Sequence, residues 1–85
     1  MTEWEYTETG CRNYGCEFTL KEGKKLFGII DTFFSDEPTT FYFVKMMDTF
    51  DFRSISDGED RDEKRMRNLC TEIDISAIES CFKIM

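Results

Sequence analysis

The run Cys16-Glu17-Phe18-Thr19-Leu20 alternates apolar and polar side chains, and Lys21-Glu22-Gly23-Lys24 follows it at once. A period of two puts Cys16, Phe18 and Leu20 on one face of an extended strand, which is therefore half-buried. The glycine in the next four residues supplies the positive φ that a tight reversal requires. The chain is thus committed early to a β-hairpin whose returning strand runs from Lys25 to Phe34. In that return Leu26, Ile30 and Phe34 point one way and Phe27, Ile29 and Phe33 the other, so both faces need cover. Gly28 inside it marks a sharp bend, the device by which a short sheet curls until its ends meet.

Downstream, Ser35-Asp36-Glu37-Pro38-Thr39-Thr40 is a loop by its turn chemistry. Phe41-Tyr42-Phe43-Val44 is a dense run of β-formers, and Met46 to Phe52 either continues it or folds back after Asp48. Residues 57–65 carry no large apolar side chain and mix both charges, which predicts a solvated loop or hairpin tip. Leu69, Thr71, Ile73 and Ile75 share one face of a strand, and Ile78, Ser80, Phe82 and Ile84 share a face of the next. Ser76 and Glu79 have the spacing of a helix capping box, but β-like alternation to the end of the sequence favours a short 3₁₀ turn at 75–77. Residues 1–15, in which Trp4-Glu5-Tyr6 alternates aromatic and acidic side chains, are an N-terminal extension: an added edge strand, or a cover for the open end of the sheet. Residues 16–85 make a single small β-domain, because a chain of 85 residues buries only roughly 60–65% of its unfolded surface.

Two segments carry a family resemblance. Phe18-Thr19-Leu20-Lys21-Glu22-Gly23-Lys24-Lys25-Leu26-Phe27-Gly28-Ile29-Ile30-Asp31 is similar to the first Sm motif, and Thr71-Glu72-Ile73-Asp74-Ile75-Ser76-Ala77-Ile78-Glu79-Ser80 looks like the crossing from the fourth to the fifth strand of that family. Over residues 16–84 the order of elements resembles a five-stranded SH3-like barrel of the Sm-like branch. The resemblance implies a mainly β fold with a 3₁₀ turn before the last strand, assembly into rings or dimers, and uridine-rich RNA as a ligand. The chain departs from the family where RNA is read: the aspartate–asparagine pair of the first motif and the Arg-Gly pair of the second are missing.

The formal charge of −7 opposes attraction to duplex DNA, whose phosphates reward dense Lys and Arg. It suits an acidic protein that docks on a basic protein surface. No stretch approaches the ~20 apolar residues of a membrane span, and the acidic start Met1-Thr2-Glu3-Trp4-Glu5 is unlike a secretory signal. A cytoplasmic location is expected, and with it four free thiols at Cys11, Cys16, Cys70 and Cys81.

The sequence contains no histidine, which removes the commonest general base near neutral pH along with Ser-His-Asp and Cys-His constellations. The cysteine spacings are wider than the x2 knuckles that place two thiolates on one zinc ion, and no glycine-rich phosphate loop is present. The expectation is therefore a protein that is not an enzyme, with neither metal nor cofactor. Nine Phe, five Met, three Tyr and one Trp exceed what one small core needs and point to a further buried surface, a protein partner or a second copy of the chain. The leading functional expectation is an interaction module: an acidic inhibitor or adaptor, of the kind a phage carries against a host enzyme. The alternative is an oligomeric binder of nucleotides or RNA held between subunits. For an anionic ligand the candidate contacts are Arg53, Arg65 and Arg67 for phosphate, with Tyr42 and Phe52 for stacking.

Overall fold

In a computed structural model of the chain, which describes residues 1–84, the early hairpin forms as its pattern requires. Strand β1 is Cys16–Leu20 and β2 is Lys25–Asp31. Between them Gly23 takes φ 94° and the Leu20 amide donates to the Lys24 carbonyl at 2.8 Å. Three more strands follow, β3 (Tyr42–Lys45), β4 (Cys70–Glu72) and β5 (Ile78–Lys83). They complete a five-stranded antiparallel sheet in the order β4-β3-β2-β1-β5. The fold is mainly β, with a few short helices added. The expected 3₁₀ turn is present at Ile75–Ala77, where the Asp74 carboxylate accepts the Ser76 amide at 2.9 Å.

Gly28 is required for a reason beyond bending. A Cβ there would lie 2.0 Å from the Val44 carbonyl oxygen and 2.8 Å from the Phe43 ring. Any side chain at 28 would push β2 and β3 apart.

The N-terminal extension is a helix, where an edge strand was one expectation. Helix α1 (Glu3–Glu8) begins with a capping box: Thr2 accepts the Glu5 amide through its hydroxyl and donates its own amide to the Glu5 carboxylate. That reciprocal pair outweighs the aromatic–acidic alternation, which by chance also fits a strand. The helix lays Tyr6 into the inner face of the sheet, fully buried, with its hydroxyl donating to the Ile30 carbonyl at 2.8 Å. Around it pack Cys11, Cys16, Phe18, Leu20, Ile30, Phe41, Phe43, Ile75 and Ile78. Tyr6 meets Phe41 edge-on at 5.9 Å and Phe18 meets Phe43 at 6.5 Å.

The segment from Met46 onward also differs from a continued strand. A 3₁₀ turn at Met46–Asp48 leads into α2 (Thr49–Asp57), and α3 (Glu63–Asn68) rises inside what reads as a charged loop. Each helix buries one large side chain fully, Phe52 from α2 and Met66 from α3. Both join Ile29, Phe34, Tyr42 and Val44 on the outer face of the sheet. Phe34 thereby faces opposite to Leu26 and Ile30, because β2 stops at Asp31 and the alternation ends with it. Asp62 caps α3 by accepting the Arg65 amide at 3.2 Å. Arg61 donates to the Ser56 side chain and to the Phe33 carbonyl, tying the acidic stretch down.

Candidate interaction surface

The helices cover only one half of the outer face. Val44 stands opposite Ile29 in β2 and opposite Cys70 in β4, and this half lies beneath α2 and α3. On the other half Glu17 of β1 stands opposite Phe27 of β2 and opposite Phe82 of β5. Opposed residues of antiparallel strands share a face, so the two phenyl rings flank Glu17 in one row. Phe27 is 48% exposed and Phe82 54%. Lys25 pairs with Glu17 at 3.4 Å beside them, leaving a strip that is aromatic at its flanks and neutralised at its centre. Next to it Lys83 lies over the Tyr14 ring at 4.3 Å. Large aromatic side chains half in water on an uncovered sheet face are the unusual feature here, since scattered single apolar residues are ordinary on surfaces.

A second exposed apolar site is on the helical half, where Met47 and Phe50 are 82% and 80% exposed. Phe50 borders a shallow groove with Thr49, Arg53, Ser54 and Asp57. Arg53 spans it and donates to the Asn13 carbonyl at 2.6 Å, joining α2 to the segment before β1. Arg65 borders neighbouring grooves whose other polar side chains include Asp51, Asp60 and Asn68.

Of the five candidate ligand contacts, Arg67 and Tyr42 come together, and they are already engaged. The Arg67 guanidinium reaches Glu37 at 2.6 Å, Asp36 at 3.3 Å and the Tyr42 hydroxyl at 3.2 Å. It also stacks 3.9 Å above the Phe34 ring. Tyr42 donates to the second oxygen of Glu37 at 2.8 Å. Those hydrogen bonds, first from Tyr42 and then from Arg67, hold the Glu37 carboxyl below the usual carboxylate range, and Glu37 in turn raises Tyr42. This constellation clasps the 35–40 loop to α3, with its positive charge matched locally. Phe52 is 1% exposed and packs against Phe33 at 4.7 Å, so a ligand reaches it only if the outer layer opens. The five residues do not line one site.

All four cysteines are free thiols. Cys16 and Cys81 are pushed up by burial, to about 12 and about 11, which keeps them protonated and unreactive near neutral pH. Among the described residues no group of three or more Cys, Asp or Glu side chains is placed to hold a metal ion, and no helix is long and apolar enough to cross a membrane.

The strip formed by Phe27 and Phe82 carries a signal that sequence inspection passed over. Once the hairpin register is drawn, Glu17 and Phe27 fall opposite one another, and an aromatic residue paired with a charged one marks a face left open.

Neither the known protein families, nor the curated proteins, nor the solved structures contain a match to this chain.

Proposed function

We infer that this chain is a non-enzymatic interaction module, an Sm-like barrel that binds a protein partner and self-associates, working as an inhibitor or adaptor in the cytoplasm. The observation that carries the reading is the uncovered aromatic row Phe27–Glu17–Phe82, which runs up to the unpaired edge of β5. Burying two half-exposed phenyl rings beside a free strand edge supplies both apolar gain and backbone hydrogen bonds, the usual means of strand-addition recognition. The barrel reading is supported by the strand order and by the 3₁₀ turn that carries the chain from one edge strand, β4, to the other, β5. The net charge of −7 favours a partner with a basic surface. The absence of histidine from the sequence is the ground for reading the protein as non-catalytic.

The test is retention of a protein partner from lysate by the wild-type chain and by the double variant Phe27→Ser/Phe82→Ser. Loss of the partner by a variant that melts normally is the expected result. Equal retention by both removes this surface from the reading.

What weighs against the alternative, nucleotides or RNA held between subunits, is the engagement of Arg67 by two carboxylates and the burial of Phe52. A nucleotide or oligouridine titration at low salt that shows binding lost on Arg53→Ala or Arg65→Ala would reinstate it.

A further inference from the structure

The pairings already described determine which backbone groups of β5 are free. The Leu20 amide donates to Lys24 across the hairpin, and the Ile84 amide donates to the Gly15 carbonyl on the other side of β1. Bonded and non-bonded pairs alternate along an antiparallel ladder. The Gly15–Ile84 bond therefore makes Glu17–Phe82 and Thr19–Ser80 the pairs whose peptide groups meet across β1 and β5. The amides and carbonyls of Cys81 and Lys83 point the other way, out of the sheet's free edge. Among the described residues they make no backbone bond outside the sheet pairings. Counting back by two reaches Glu79, beside the register shift at Leu20. Glu79, Ser80, Phe82 and Lys83 are exposed and Cys81 between them is half-buried, its thiol on the Thr9 hydroxyl at 3.6 Å. The Met1 amine donates to the Ile78 carbonyl at 2.6 Å, so the open part of the edge begins at Glu79.

This edge is complementary to itself. Two copies of β5 laid antiparallel about Cys81 bring Cys81 opposite its own counterpart, where both residues present outward-facing peptide groups. The same register sets Glu79 of each copy against Lys83 of the other, twice by symmetry. Shifting by two residues leaves both charges without opposite partners, and shifting by four sets Glu79 against Glu79 or Lys83 against Lys83, which repel. Charge thus selects one register among those the hydrogen-bond directions allow. On the outer face that register places Phe82 opposite Ser80 of the other copy, so the two Phe82 rings become diagonal neighbours. The aromatic row then continues across the junction.

We propose that two copies of this chain associate about a two-fold axis by antiparallel pairing of β5 with β5, centred on Cys81, with Glu79 of each copy paired to Lys83 of the other. The proposal rests on the self-associating part of the reading above and names the partner as a second copy of this chain. An isologous contact of this kind closes at two subunits. It leaves the β4 edge and the Phe27 ends of the row uncommitted.

Sedimentation equilibrium on the full chain tests it. Glu79→Lys and Lys83→Glu each turn two attractive pairs into two repulsive ones, and each raises the dimer dissociation constant about tenfold or more. The double variant Glu79→Lys/Lys83→Glu restores complementarity and returns the constant to within about threefold of wild type. The double variant also lacks the Lys83 contact with Tyr14, so its recovery separates charge pairing from any local loss of packing. Amide exchange supplies a second readout, with Cys81 and Lys83 protected at high protein concentration, unprotected on dilution, and β4 amides unchanged by either. A monomer at every concentration, a double variant that stays weak, or concentration-dependent protection of β4 overturns the proposal. A monomer that still loses its protein partner on Phe27→Ser/Phe82→Ser overturns only the pairing and leaves the binding surface standing. A dimer that behaves as described, in a chain retaining the same partners with or without the two phenylalanines, does the converse.

Discussion

The two faces of the sheet are covered in different ways. On the inner face, side chains from α1, the strands and the last 3₁₀ turn interlock around Tyr6 and Phe18, and residues as far apart in sequence as Tyr6 and Ile78 share one cluster. On the outer face, contiguous residues 46–69 fold into two short helices that lean on the sheet through Phe52 and Met66, and half of the sheet stays bare. The inner layer is made of long-range contacts. The outer layer is local, held by two plugs and an ion-paired clasp, and it leaves the Phe27–Glu17–Phe82 row bare.

The largest effect expected is from Phe18→Ala, which empties the centre of the inner cluster. It is expected to lower unfolding free energy by about 3–5 kcal/mol, read as a single shifted transition in denaturant melts. Phe52→Ala removes a ring of equal size from the outer layer, with a cost near the lower end of that range, about 3 kcal/mol. Here α2 amides should lose exchange protection before those of β1. Equal protection loss in both layers would show that they are one cooperative unit and break the contrast.

Gly28→Ala comes next. The added methyl meets the Val44 carbonyl and the Phe43 ring, and overpacking of this kind costs about 1–3 kcal/mol. Because Gly28 lies in the strand both layers share, its effect should appear in both by thermal melting and exchange. A neutral result would mean that β2 and β3 separate at no cost.

The layers also differ in the pH that loosens them. Burial holds the Tyr6 hydroxyl far above its ordinary value and raises the Cys16 thiol. For both, the folded pKa exceeds the unfolded one, so their contribution is complete below the unfolded values of ~8.5 for Cys and ~10 for Tyr. It is lost as pH rises through the folded values. Tyr6→Phe should flatten the alkaline fall in melting temperature at a cost of about 1 kcal/mol near neutrality. The Ile30 carbonyl retains the Asn13 amide as a partner. Glu37 behaves in the opposite sense. Its folded pKa is depressed, so its contribution is present above ~4.3 and is lost as pH falls through the folded value. Glu37→Gln should remove the acid-induced loosening of α3 seen by amide exchange while leaving the alkaline limb unchanged.

The smallest effect expected is from Arg67→Ala, a slight fall in melting temperature from loss of the stack on Phe34 and the hydrogen bond to Glu37. The side chain is partly exposed, which screens its ion pairs. Amide exchange in α3 should register the change while that of β1 does not.

The division between the faces is also the division between what could and could not be read beforehand. The first hairpin is written in a period of two with a glycine at the reversal, and its strand β1 falls where the alternation places it. The 3₁₀ turn at Ile75–Ala77 sits where the alternation changes phase. The helices α2 and α3 are short and each fully buries one residue, so no long apolar stripe announces them. Their signals are caps and local spacings: Asp62 three residues before Arg65, Phe52 three before Ile55. Helix α1 was legible through Thr2 and Glu5, whose capping spacing competes with an alternation three residues long. The ligand contacts assigned to Arg53, Arg65, Arg67, Tyr42 and Phe52 share residue chemistry without sharing a place. Spacing in sequence carries no information on whether an arginine already has a carboxylate beside it.

The four thiols grade the molecule by depth, since Cys11 and Cys16 are buried while Cys70 and Cys81 are half-exposed. An alkylating reagent added to the native protein therefore meets a sequence of doors that open at different rates. Cys70 reports breathing of the helical side, Cys81 the lifting of the sheet's rim, and Cys16 only the opening of the whole interior. The molecule carries its own clock for the order in which it comes apart.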